Sequence, residues 1–168
     1  MTMQYDVLSA HLNVSGQMVV GRARLKGIIS MGTATAGTVN LWDTTTAPVS
    51  ATYGRSGTTV TVTRVGHGLS TGSTVGLTFG LDASTRAATN GNYVITRLTA
   101  DTYSVTDINS GTVTAGTACT EGNRWLASYD TNTASDVVTL LVPGEGVLAR
   151  DGIYGQLTNQ TGLTVFYG

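Results

Sequence analysis

Apolar and polar residues alternate along most of this chain with a period of two, the repeat of a strand whose two faces meet different surroundings. The clearest run is Thr58 to Arg64, where Val60 and Val62 face one way and Thr59, Thr61 and Thr63 the other. That pattern predicts a half-buried antiparallel strand. Thr38 to Asp43 puts Val39 and Leu41 on one face and Asn40 and Trp42 on the other. Gln17 to Ser30 reads as one long or bulged strand, with Gly21 and Gly27 marking a bend or a close approach. Further strands are predicted over Thr74 to Phe79, Asn92 to Leu98, Thr102 to Asp107, Gly111 to Ala118, Arg124 to Tyr129, Asp136 to Val142, Ile153 to Thr158 and Gly162 to Tyr167. Turns separate most of them, among them Asn90-Gly91, Ala100-Asp101 and Asn109-Ser110-Gly111. Helix is nearly absent. Only Asp82 to Thr89 offers a helical turn, and Thr85 and Thr89 make it a weak one, so a loop fits as well.

Composition agrees with this pattern and narrows the function. Thr is the commonest residue, ahead of 22 Gly, with two Pro and a single Lys, Lys26, a mixture that favours strands and tight turns. The 168 residues are enough for a self-sufficient core, and only 11% are charged, about half the usual share. Nine basic and ten acidic residues are spread along the chain for a net charge of -1, which gives phosphate backbones no electrostatic footprint. No nucleic-acid partner is expected. Nor is a membrane partner, because no stretch approaches the roughly 18 apolar residues of a span. The first residues lack the basic and apolar regions of a signal peptide, so a cytosol-like compartment is expected, and the Asn13 and Asn159 glycosylation patterns read as chance. The single Cys119 has no intrachain disulfide partner and reads as a small core side chain.

Residues 55 to 120 form a Thr/Gly-rich block with little aromatic content, whereas the flanks carry Trp42, Trp125, Tyr129, Phe166 and Tyr167. The flanks, 1 to 54 with 121 to 168, are therefore read as one discontinuous antiparallel β-sandwich or jelly-roll-like domain. The middle block is a small inserted β module, and the fold class is all-β. Such an insertion is tolerable because closure entropy grows by only about 0.6 kcal/mol per doubling of length.

Candidate chemistry is sparse. His67 sits in a glycine-rich turn, and Gly68-Leu69-Ser70-Thr71-Gly72 has the Gly-x-Ser-x-Gly form of a nucleophile elbow. An elbow joins a buried strand to a helix, and here two Thr-rich strands flank the string, so a structural turn is expected. Two distant His and one Cys make no zinc set. The oxygen-rich Asp130 to Asp136 loop lacks the sixth-position Gly of an EF-hand, and Leu141 stands where its bidentate Glu belongs. It reads as a solvated hairpin. The scattered carboxylates give no glycosidase pair, and Gly66, Gly68 and Gly72 miss the dinucleotide spacing by one residue. No catalytic residue, metal or cofactor is assigned.

Two motifs carry a resemblance. Val65-Gly66-His67-Gly68-Leu69, then Asn90-Gly91-Asn92-Tyr93-Val94-Ile95-Thr96 and Asp101-Thr102-Tyr103-Ser104-Val105, resemble a small β module common in tailed-phage virion proteins. Leu141-Val142-Pro143-Gly144-Glu145-Gly146-Val147-Leu148, Asp151-Gly152-Ile153-Tyr154 and the terminal Thr164-Val165-Phe166-Tyr167-Gly168 are similar to short virion proteins of podovirus-like and cyanophage-like phages. In those, as the resemblance implies, the same elements finish a compact β-sandwich without the middle module. What it further implies is a capsid decoration (cement) protein on the virion surface, made in the host cytoplasm, with the major capsid protein as partner. A homotrimer is implied in the same way.

The residues add one argument of their own. With one Lys, two Pro and few charges, the chain lacks the usual devices that blunt strand edges, so contact with copies of itself or with a shell is expected. Candidate interface residues are Tyr5, Leu8, His11, Met18, Trp42, Trp125, Phe166 and Tyr167, of which the aromatics Trp42, Trp125, Phe166 and Tyr167 read more often as core and serve as anchors where exposed; the flank domain, including the Met1 to Met18 segment, is expected to dock and the module to project outward. The rival readings are a tail, collar or baseplate component, and a module that recognises host-surface glycans.

Overall fold

Strands are the only regular elements in the computed structural model, which describes residues 7–84, 86–132 and 135–168. In chain order they are β1 (Leu8–Leu12), β2 (Gly16–Val20), β3 (Ala23–Gly32), β4 (Gly37–Trp42), β5 (Val49–Thr63), β6 (Thr74–Phe79), β7 (Gly91–Val94), β8 (Thr96–Arg97), β9 (Thr102–Gly122), β10 (Trp125–Thr131), β11 (Val137–Leu141), β12 (Val147–Ala149), β13 (Gly152–Thr158) and β14 (Gln160–Tyr167). They divide into two compact units, Met1–Ala47 with Leu126–Gly168, and Pro48–Trp125. The central unit thus begins before residue 55 and ends beyond residue 120.

The first unit is an antiparallel sandwich. One sheet runs β1-β14-β3-β11, with β12 also on β3, and the other runs β10-β4-β13-β2. Period-two alternation sends Leu163 and Val165 of β14 and Ile28 of β3 into the space between the sheets, where they meet Val39 and Leu41 of β4, Ile153 of β13 and Val19 of β2. The predicted Gln17 to Ser30 strand is in fact two strands in different sheets. Gly21, with φ of +86°, makes the corner between them. Gly27 marks an irregularity within β3: β14 shifts register between Phe166, opposite Gly27, and Tyr167, opposite Leu25. The shift lets both Leu25 and Ile28 reach the core.

The central unit is one sheet that curls on itself. β6 pairs with β7, β8 pairs with the start of β9, the start of β9 pairs with the end of β5, and the beginning of β5 pairs with the end of β9, which returns to β6. Val60, Val62, Val75, Leu77, Ile95, Tyr103 and Val105 fill the interior. Thr102 to Asp107 and Gly111 to Ala118 belong to one strand, so Asn109-Ser110-Gly111 is not a turn between two. Instead β5 and β9 slip register there. Gly57 pairs with Gly111 and Thr59 with Thr106, so Thr58 stands opposite the four residues Asp107 to Ser110. Gly57 takes a φ of +62° at that point. The bulge turns Asp107 into the unit, where it is buried.

Candidate functional site

His67 lies where the Gly66 and Gly68 turns leave room for a ring, and both of its nitrogens are engaged. The Leu69 N–H donates to Nδ1 at 3.1 Å, so the proton sits on Nε2, which donates to the Thr99 carbonyl at 3.2 Å. The ring is buried and stands edge-on to Tyr103, 5.3 Å between centroids. No lone pair is left to take a proton from Ser70. Ser70 is exposed, and its main chain closes a turn with Ser73 ahead of β6, with no helix following. The Gly-x-Ser-x-Gly string therefore has neither a free His67 nitrogen to act as base nor the strand-to-helix corner of a nucleophile elbow.

Two buried ionic clusters were not foreseen from the sequence. Arg64 Nη1 lies 2.8 Å from Glu121 Oε1, and the Tyr103 hydroxyl donates to Glu121 Oε2 at 2.7 Å. Burial first, and then the neighbouring carboxylate, push the Tyr103 hydroxyl above its ordinary range and the Cys119 thiol up to about 12. In the second cluster Arg55 Nη1 lies 2.6 Å from Asp107 Oδ2, and Asp107 accepts the Thr89 and Asn109 N–H groups at 3.0 and 3.1 Å. Burial raises the Asp107 carboxyl, but the bonds from Thr89, Asn109 and Arg55 outweigh it and hold the group below the usual carboxylate range. The carboxylates of both clusters are held by several protein donors, which is the arrangement of a fold-specifying network, while Arg55 Nε and Arg64 Nε are buried without a hydrogen-bond partner. Among the described residues no three His, Cys, Asp or Glu side chains gather as metal ligands would. The Asp130 to Asp136 loop lies partly outside the described residues.

A shallow, open depression of 490 Å³ in the central unit is lined by Gly91, Asn92, Tyr93, Val94, Thr106 and Ile108. Its Asn92 and Tyr93 side chains are already engaged. Asn92 clasps the Trp125 main chain with both ends of its amide, at 2.8 and 2.9 Å, and the Tyr93 hydroxyl donates to the Thr89 carbonyl.

The residues singled out for contact are dispersed. Leu8, 58% exposed, and His11 lie on the edge strand β1, with His11 between Thr164 Oγ1 and Asn13 Oδ1 at 2.9 and 2.6 Å. Phe166 is half-buried, Met18 and Tyr167 pack against the sandwich core, and Trp125 is half-buried in the central unit. Trp42 is 0% exposed, its Nε1 donating to Gln156 at 3.2 Å, and belongs to the interior rather than to a contact surface. Tyr5 lies outside the described residues. Among the exposed apolar residues that reading missed are Val20 of β2, 77% exposed, and Val137 and Leu141 of β11, 61% and 76% exposed at a sheet edge. A hydrophobic edge without charge was the signal available for it. No family model, curated protein or solved structure matches this chain.

Proposed function

We propose that this chain is a structural protein of a tailed-phage virion, a decoration protein that binds the capsid and bridges its major subunits. The observation that carries the reading is where the apolar and polar groups are used. The buried titratable side chains are tied into internal networks, while Leu8, Val20, Val137 and Leu141 stand exposed on strands that border their sheets. A surface of that kind acts by contact, and unprotected edges are tolerable where an assembly covers them. The phage-type sequence motifs supply the kind of assembly.

In this mechanism each copy spans neighbouring capsid subunits, and a standard contact of roughly 1,600 Å² gives moderate affinity. Joining copies multiplies the gain by about 10² to 10⁴ where the geometry permits simultaneous engagement. The test is binding of the purified chain to undecorated shells, followed by heating. Saturable binding with a raised shell-disruption temperature is expected; no binding and no change in disruption temperature would overturn the proposal.

A further inference from the structure

We propose that β11 is a self-pairing edge, through which two copies of this chain join their sheets antiparallel about a two-fold axis at Thr139. β11 ends the sheet β1-β14-β3-β11, and among the described residues no strand pairs with its open side. The phase of its hydrogen bonds is fixed. The Gly32 N–H donates to the Asp136 carbonyl and the Val142 N–H to the Lys26 carbonyl, both at 2.9 Å, and the register between is unbroken. Residues 136, 138, 140 and 142 therefore turn their main-chain groups to β3. By the alternation of an antiparallel ladder, Val137, Thr139 and Leu141 turn theirs to the open side.

Pairing about Thr139 uses all of them at once. Thr139 meets Thr139 of the second copy, and Val137 meets Leu141 of the second copy twice, once on each side of the axis. The same three side chains share one face of the sheet, so the exposed Val137 and Leu141 cover each other as a cross-strand apolar pair. None of the usual protective devices is present: Val137-Val138-Thr139-Leu140-Leu141 has no charge, no Pro and no bulge.

Charge selects a second copy as the occupant. This register brings the exposed Asp136 opposite Val142 of the second copy, where the strand passes into the 143–146 turn. Lys26 reaches that same turn, its Nζ 3.0 Å from the Glu145 carbonyl and 3.5 Å from that of Gly144, while the Glu145 carboxylate is drawn toward Arg24 at 3.9 Å. The acid at one end of β11 is thus brought to the same end of the seam as the Lys26 ammonium of the second copy, one strand further in on β3, on both sides of the axis. A five-residue seam is smaller than a standard interface, so the dimer is weak and concentration-dependent. It is isologous and closes at two, unlike the trimer implied by the sequence resemblance. It requires no shell, so a failure of shell binding and a failure of this pairing are separate results.

The full chain should move from monomer to dimer in sedimentation velocity as its concentration rises. Leu141→Glu and Asp136→Lys should each weaken the dimer about tenfold or more, and Lys26→Glu added to Asp136→Lys should restore it, with unchanged circular dichroism as the check on folding. Thr139→Cys should oxidise to a cross-linked dimer, since facing Cα atoms in a hydrogen-bonded pair stand about 5.5 Å apart, within disulfide reach. Val65→Cys, 84% exposed in the central unit, should not, and the native Cys119 is buried. A chain that stays monomeric or forms trimers, a dimer indifferent to Leu141→Glu, or equal cross-linking of the two cysteine variants would overturn the proposal.

Discussion

Replacing Asp107 by Ala should destabilise the central unit by about 3 to 5 kcal/mol, the usual cost of leaving a buried charge without its partner. The full amount is expected because Arg55 and Asp107 side chains are 7% and 0% exposed and 2.6 Å apart, and the same carboxylate also holds the Thr89 and Asn109 amides. Alanine strands a guanidinium and two N–H groups together. Removing both charges, as Arg55→Met with Asp107→Leu, is by itself often close to neutral, but it still leaves the two amides unpaired at about 1 to 3 kcal/mol each. The double variant should therefore recover part of the loss and not all of it. In calorimetry about 1 kcal/mol corresponds to about 4 to 8 °C for a unit of this size, so Asp107→Ala should lower the transition by at least about 12 °C. Acid provides a second arm. The Asp107 carboxyl is held below its unfolded value, so its contribution is present above about pH 4 and is lost as pH falls through the folded value. The gap between native chain and variant should close there. A shift under about 4 °C, or a double variant less stable than Asp107→Ala, would refute this reasoning.

Three further outcomes follow from the packing. Asp43 is buried and accepts the N–H groups of Arg150, Asp151 and Gly152 at 2.8 to 3.3 Å, so Asp43→Ala should cost the sandwich about 2 to 4 kcal/mol in urea unfolding and speed hydrogen exchange at those amides. Burial raises the Cys119 thiol and the Tyr93 hydroxyl to about 12 from ordinary values of 9.0 and 10.0. The folded chain then keeps protons that the unfolded chain gives up, so stability should be full below about pH 9 and fall as pH rises toward 12; a flat profile would contradict it. A Cβ on Gly76 would lie 2.3 Å from the Trp125 nitrogen, so Gly76→Ala should cost about 1 to 3 kcal/mol by thermal unfolding.

Alternation made strands such as β5 legible because only one of their faces is buried. Of the predicted Thr58 to Arg64 run all but Arg64 lies in β5, with Val60 and Val62 fully buried as their spacing requires, while Thr74 to Phe79 is β6 and is buried on both faces from Val75 on. Gln17 to Ser30 was misleading because period two continues through a corner: Gly21 changes the sheet without breaking the pattern. Asn109-Ser110-Gly111 has turn chemistry, yet its residues form a bulge, since the draw of a buried Arg55 from 52 residues away is invisible locally. The same holds for Glu121, whose partner Arg64 is brought to it by the curl of the sheet. Trp42 read as a contact anchor because an aromatic beside polar residues resembles a surface position; burial of both Leu41 and Trp42 on adjacent positions cannot be inferred from a half-buried pattern. The β11 edge was within reach, as a short apolar segment free of charge, but which strand borders a sheet is a property of topology.

The most direct measurement is the position of this chain in an assembled particle, by cryo-electron microscopy of virions that carry it beside virions that lack it. Difference density on the outer surface of the head, straddling contacts between capsid subunits, is the result expected of a decoration protein. Density confined to the tail, collar or baseplate would contradict that function.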